Sequence, residues 1–178
     1  TSTELWLRLI HTGSLYGDVM LEAAARLHNQ TTIDGPVVRD AGLSVKQAAR
    51  FFALRESELE SSLLWLEQSG NYLITADHPL YPPLLRTIPD YPGAVFVKGN
   101  PNVLNAVQLA VVGSRAPPWY GERWGKILCE QLSQSGLTIT SGLACGIDGV
   151  AHNAALSAKG RSVAVLGNGL FSIYPRRH

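Results

Sequence analysis

Cysteine is scarce in this 178-residue chain: Cys129 and Cys145 are the only two, too few for a disulfide framework and without the second pair that zinc requires. A reducing compartment is expected. Excess charge is missing as well, since 15 basic and 14 acidic residues leave a net +1, so no global field points to a nucleic-acid partner and any anion site must be local. The one dense basic cluster is Arg176-Arg177-His178, which reads equally as a patch or a solvated tail. No apolar run approaches the roughly 18 residues that span a bilayer, and Thr1-Ser2-Thr3-Glu4 lacks the basic start of a signal peptide. A soluble, cytoplasmic protein without a membrane partner is expected.

Several chemistries lack their motifs. There is no G-x-x-x-x-G-K-[ST] for a phosphate-loop ATPase, and no G-x-G-x-x-G after the first core strand for a dinucleotide. Ser114 does not lie in G-x-S-x-G, and no nearby acid and histidine complete a triad. The five histidines are scattered without ligand spacing, so no metal and no cofactor are expected. Internal repeats and low-complexity segments are absent too. What the chain does have is 46% hydrophobic residues, enough to bury an ordinary core in one or two domains.

Residues 1 to 70 read as a small all-α domain of four short helices. Their apolar faces are Leu5, Leu9 and Ile10 after Thr3; Val19, Ala23 and Leu27 after Gly17-Asp18; Val45, Ala48, Ala49 and Phe52 after Ser44; and Leu59, Leu63 and Leu66 after Ser57. Gly13-Ser14, Asp34-Gly35-Pro36 and Gly42 act as breakers, and Ser69-Gly70-Asn71 closes the unit. The turn Asp40-Ala41-Gly42-Leu43-Ser44 is hairpin-like, but no basic cluster beside it arms a helix-hairpin-helix for DNA. Packing or protein interaction is the favoured role.

From residue 71 the pattern changes. Tyr72 to Thr75 and Ala94 to Val97 read as strands added to the edge of a main sheet, separated by prolines that cannot continue a ladder. The main sheet then alternates strand and helix: Leu109 to Val112, a helix over 119–135, Thr138 to Thr140, a helix over 148–158, and Val163 to Leu166. An α/β fold with a parallel, Rossmann-like sheet follows, so residues 71–178 are expected to form the second domain.

Two glycine-rich turns fall where parallel strands end. In the first, Gly113 permits a tight turn, Ser114 offers a hydroxyl, and the Arg115 guanidinium is a fork suited to phosphate. Read from spacing alone, an ordinary strand-to-helix turn with a surface arginine is the favoured account of the same triplet. In the second, Ser141, Gly142, Cys145 and Gly146 precede Asp148, which is placed to cap the next helix, with His152 one turn further on the same face, where the two are expected to pair and fix the helix start. A third turn holds Asn168 between two glycines, able to reach a phosphate or simply to sit in a left-handed turn. Trp119, Tyr120 and Trp124 stand just past the first turn. They are candidates either to stack on unpaired bases or to pack their helix.

In order and spacing, the runs VVGSR, SGLACGIDGVAH and AVLGNGLFSIYP, with LITADHPLYPPLL and YPGAVFVKG ahead of them, resemble the DNA-processing protein A family, also called Smf. The resemblance covers the whole chain. It implies a sterile-alpha-motif-like helical domain, then the amino-terminal part of an extended Rossmann-like fold whose further strands would lie beyond His178. It also implies a cytosolic bacterial protein that is not an enzyme, that binds single-stranded DNA and hands it to the RecA recombinase during transformation, and that dimerises through the complete nucleotide fold. By resemblance the Gly113-Ser114-Arg115 triplet falls on the family's DNA-phosphate contact. One departure is plain: the family usually reads SGLARGID, and Cys145 stands where that arginine would be. Other readings of the same sheet are a nucleotide-cleaving phosphoribohydrolase, or an interaction module whose helical domain is the working part.

Overall fold

The computed structural model describes residues 2–167, which fall into two compact units divided after Pro101. Asn168 and the Arg176-Arg177-His178 cluster lie outside the described residues.

The first unit begins with five helices: α1 Ser2–His11, α2 Gly17–His28, α3 Gly35–Asp40, α4 Val45–Ala53 and α5 Glu56–Glu67. Their core is built on helical spacing, with Leu5 and Leu9 from α1, Met20, Ala23, Ala24 and Leu27 from α2, Val38 from α3, and Ala48 and Phe51 from α4. Two of the expected faces are turned by about one residue. Val19, Val45 and Phe52 are exposed while Met20 and Phe51 are buried; on α2 the larger apolar surface of Met20 gains more than that of Val19 from the core position, and on α4 it is Phe51, in line with Ala48, that faces inward.

Helix α3 replaces an expected breaker. The Asp34 side chain accepts the Val37 N–H at 3.1 Å, and Pro36 sits in the first turn, where its missing donor is not needed. Asp-Gly-Pro is therefore a helix start. Ser44 does cap α4 as expected, in a reciprocal capping box with Gln47.

Strands β1 Asn71–Thr75 and β2 Ala94–Lys98 pair only with each other among the described residues, antiparallel, with Leu73 opposite Phe96. The expectation that they extend the main sheet is thus corrected. Leu73 and Ala94 pack against the helical core instead. The proline-rich connection folds over Tyr81 and Tyr91, both buried; the Tyr81 hydroxyl donates to the Pro92 carbonyl at 2.6 Å. Burial pushes the Tyr81 phenol up to about 12.

In the second unit β3 Gln108–Ala110, β4 Thr138–Ser141 and β5 Ser162–Ala164 form a parallel sheet in that order. Leu109 lies opposite Ile139, and Ile139 opposite Ser162. The crossovers are α6 Trp119–Gln134 and α7 Ile147–Ser157. Since right-handed crossovers between neighbouring parallel strands fall on one side, α6 and α7 lie together. Cys129, Ile139, Ala151, Ala154 and Ala155 close the core between them and β4, and burial pushes the Cys129 thiol up. Small residues on α7 let the two helices approach closely. Among the described residues no helix is long and apolar enough to cross a membrane.

Candidate functional site

The exits of β3 and β4 are joined by backbone. The Ile147 N–H donates to the Ser114 carbonyl at 3.1 Å, which brings the residue before it, Gly146, against the first loop at φ +83 and ψ −131. A Cβ there would fall on the Ser114 carbonyl oxygen and within 2.6–2.7 Å of the Arg115 backbone. Only glycine fits that position. Gly113 is needed for a different reason than ligand approach, because a Cβ on it would meet the Ile147 side chain at 2.7–2.9 Å.

Below this junction the strands are tied as well. Val111 N–H donates to Thr140 carbonyl at 2.9 Å, and the buried Ser141 hydroxyl donates to the Val111 carbonyl. The Ser141 side chain therefore serves the frame. Ser114 keeps its hydroxyl proton available, since its Oγ accepts from Ala116 N–H at 3.1 Å in a local turn.

Helix α7 holds the second loop at two further points. His152 lies 8% exposed, with Nε2 2.6 Å from the Gly142 carbonyl and Nδ1 against the Ser162 hydroxyl. A carbonyl only accepts, so Nε2 carries a proton toward Gly142, while Nδ1 faces a Ser162 hydroxyl that also donates to the Ile139 carbonyl at 3.2 Å. Asp148 Oδ2 accepts the Ala144 N–H at 3.3 Å. The expected pairing of Asp148 with His152 is corrected by these bonds: each grips the loop rather than its neighbour. Asp148 is also not the cap of α7, whose N-cap is Gly146; its carboxylate reaches back out of the first turn, where a negative charge suits the helix dipole.

Of the sequence candidates, Gly113, Ser114, Arg115 and Gly146 meet directly, and Gly142 and Cys145 belong to the same clamped loop. Arg115 is exposed, and no hydrogen bond or ion pair engages its guanidinium among the described residues. Cys145 is half-buried. The first-turn N–H groups of α7 after Ile147 have no intrahelical acceptor. The arrangement offers an anion a free guanidinium, a hydroxyl proton and a helix terminus.

Ile147 and Ser162 were not foreseen as members of the site. Ile147 acts through its backbone, which a sequence does not distinguish, and only the nearness of Ser162 to a strand start hinted at a framing role. Trp119, Tyr120 and Trp124 are 73%, 56% and 62% exposed, so none of them packs α6 onto the sheet. Among the described residues no group of three or more histidine, cysteine, aspartate or glutamate side chains is placed to hold a metal.

A helical amino-terminal module followed by a parallel strand–helix–strand sheet defines a nucleotide-type α/β protein. The chain belongs to the DprA/Smf family: the family described as DNA recombination-mediator protein A matches residues 72–178, and the SMF/DprA SAM domain matches residues 1–64. It is 56% identical to Protein Smf of Escherichia coli (strain K12) over 176 residues, covering 99% of this chain and 47% of that protein. It is 39% identical over 112 residues to the DNA processing protein DprA of Bacillus subtilis (strain 168), covering 62% and 38%. The X-ray structure of DprA from Streptococcus pneumoniae aligns at a TM-score of 0.75 and 30% identity, over 96% of this chain and 59% of that one. A Helicobacter pylori DprA structure, described for its single-stranded DNA binding mode, shares the fold at a TM-score of 0.53 and 24% identity, over 60% and 47%. The chain spans about half the length of the relatives it matches.

Proposed function

We propose that this chain binds single-stranded DNA through backbone phosphates at the joined exits of β3 and β4. The phosphate contacts in this reading are Gly113, Ser114 and Arg115 on one loop and Gly142, Cys145 and Gly146 on the other, with Ser141 framing the second loop from below; Asn168, a candidate from the sequence alone, lies outside the described residues. The observation that carries it is the Ile147 N–H to Ser114 carbonyl bond, which sets both turns beside an unengaged Arg115. The two DprA structures support it, one of them described for single-stranded DNA binding.

The chain acts as a binder rather than an enzyme in this reading. Ser114 has Ala116 N–H at its oxygen and no base within hydrogen-bond reach among the described residues, so it is not activated as a nucleophile. Residues 71–178 form the DNA-binding part and residues 1–70 a helical adaptor. A cytoplasmic site, loading of RecA and a homodimer through the complete nucleotide fold complete the proposal by family likeness.

The test is fluorescence anisotropy with a labelled oligonucleotide, comparing Arg115→Ala with Lys46→Ala, an exposed lysine of the helical unit. A charge-assisted bond to phosphate contributes about 1.5–3 kcal/mol, so Arg115→Ala should weaken binding roughly tenfold to a hundredfold while Lys46→Ala changes little. Equal losses in the two variants would move the site away from the junction.

A further inference from the structure

A groove of about 490 Å³ runs between α6 and α7. It begins where both helices leave the loops described above. On α6 its wall is Trp119, Glu122, Arg123 and Lys126; Trp119, Arg123 and Lys126, at spacing i, i+4, i+7, set one aromatic and two cations in a row along it, with the Glu122 carboxylate on the same face. From Trp119 to Lys126 that row runs about 10 Å along the axis. Val150, Asn153, Ala154 and Ser157 line the opposite wall on α7, so that wall is uncharged, with Asn153 and Ser157, at i and i+4, as its polar groups.

Two features point to an occupant. The Trp119 ring is 73% exposed, touched edge-on by Tyr120 with ring centroids 5.9 Å apart, so its remaining surface is open. Arg123 and Lys126 make no hydrogen bond or ion pair among the described residues, although Glu122 lines the same groove. Their charges are unspent, and the groove lining is net positive by one. Tyr120 and Trp124 do not line it.

We propose that this groove is a second binding site for single-stranded nucleic acid, continuing from the β3/β4 exits, with Trp119 stacked on an unpaired base and Arg123 and Lys126 against the phosphates beside it. A base offers a face to any exposed aromatic ring, and a phosphate flanks it on each side, so one row of aromatic and cationic side chains suits a single strand. A duplex hides its base faces and does not fit. The proposal rests on the reading of the exits as a phosphate site and extends it by two to three nucleotides.

The test uses labelled oligothymidylates of about four and about twelve nucleotides. Trp119→Ala, Arg123→Ala and Lys126→Ala should each weaken binding of the longer strand, about tenfold for Trp119→Ala, and leave the shorter one nearly unchanged. Each lost cation should lower the salt slope by about 0.7. Trp6 and Trp65 are buried at 7% exposure, so DNA-induced quenching of tryptophan emission should survive Trp124→Phe and vanish in Trp119→Phe. If Arg115→Ala weakens binding while none of the three groove variants does, the groove proposal falls and the exits stand. If Arg115→Ala leaves binding intact, the exit reading falls. Quenching that follows Trp124, or groove variants that change self-association but not DNA binding, would equally overturn the groove.

Discussion

Replacing Gly146 by alanine should open the α/β unit far more often than the same change at Gly136. Both glycines have left-handed φ, +83 and +97, and an L-residue held in such a region costs about 1–3 kcal/mol. At Gly136 an added Cβ meets nothing within 4 Å, so strain is the whole effect, lessened by about 0.4–1 kcal/mol from the stiffer unfolded chain. At Gly146 the Cβ falls on the Ser114 carbonyl. The loops must part, and the Ile147 hydrogen bond to Ser114 goes with them at about 1 kcal/mol more. Gly146→Ala should therefore destabilise by about 2–4 kcal/mol and Gly136→Ala by about 1. Because the chain has two compact units, a whole-chain melt mixes two transitions. Cys129 gives a local probe, being 2% exposed in the α/β core. In a Cys145→Ser background, its alkylation under native conditions tracks opening of that unit alone. The rate should rise roughly 30-fold to 700-fold in Gly146→Ala and no more than about tenfold in Gly136→Ala. Equal rates in the two variants would refute the argument that the loops are butted together at Gly146.

Cys145→Arg should tighten single-strand binding about tenfold by one added charge-assisted bond and steepen the salt slope by about 0.7; anisotropy at several salt concentrations checks both, and no change in either would mean that position 145 does not face the strand. His152→Ala should leave the Gly142 carbonyl without its donor, at about 1–3 kcal/mol, and weaken DNA binding with it. His152→Gln, which keeps an N–H to donate, should recover part of both in the Cys129 alkylation and anisotropy assays, whereas equal defects in the two variants would rule out that hydrogen bond as the cause.

The α/β half was legible because its periods change cleanly. Apolar spacing set the first crossover helix over 119–135, and the structure has it at Trp119–Gln134. Strand ends were less certain: Val111 still donates to Thr140, yet pairing stops at Ala110 because the chain turns out toward Gly113. The 71–98 hairpin was recognised as strands but assigned to the wrong sheet. Alternation tells which residues extend, not which partner they find, and here the helical core captured Leu73 and Ala94. Helix α3 was missed because Asp-Gly-Pro carries the same composition whether it ends a helix or starts one, and the difference lies in the extended backbone of Asp34. At the candidate site the placement of Gly113, Arg115 and Gly146 at the strand exits was readable. The roles of Asp148 and His152 were not, since both bind atoms that every residue possesses.

Asp148 and His152 hang from one helix a single turn apart, and that has a thermodynamic consequence. A loop fastened at Gly142, Ala144 and Gly146 to the rigid start of α7 has few conformations left to lose when a ligand arrives. Fixing one free residue costs about 1–2 kcal/mol, a charge that flexible phosphate-binding loops incur at each binding event and this one incurs once, on folding. Association at these exits should carry a small heat-capacity change and little loop ordering, with its temperature dependence set by the DNA strand rather than by the protein.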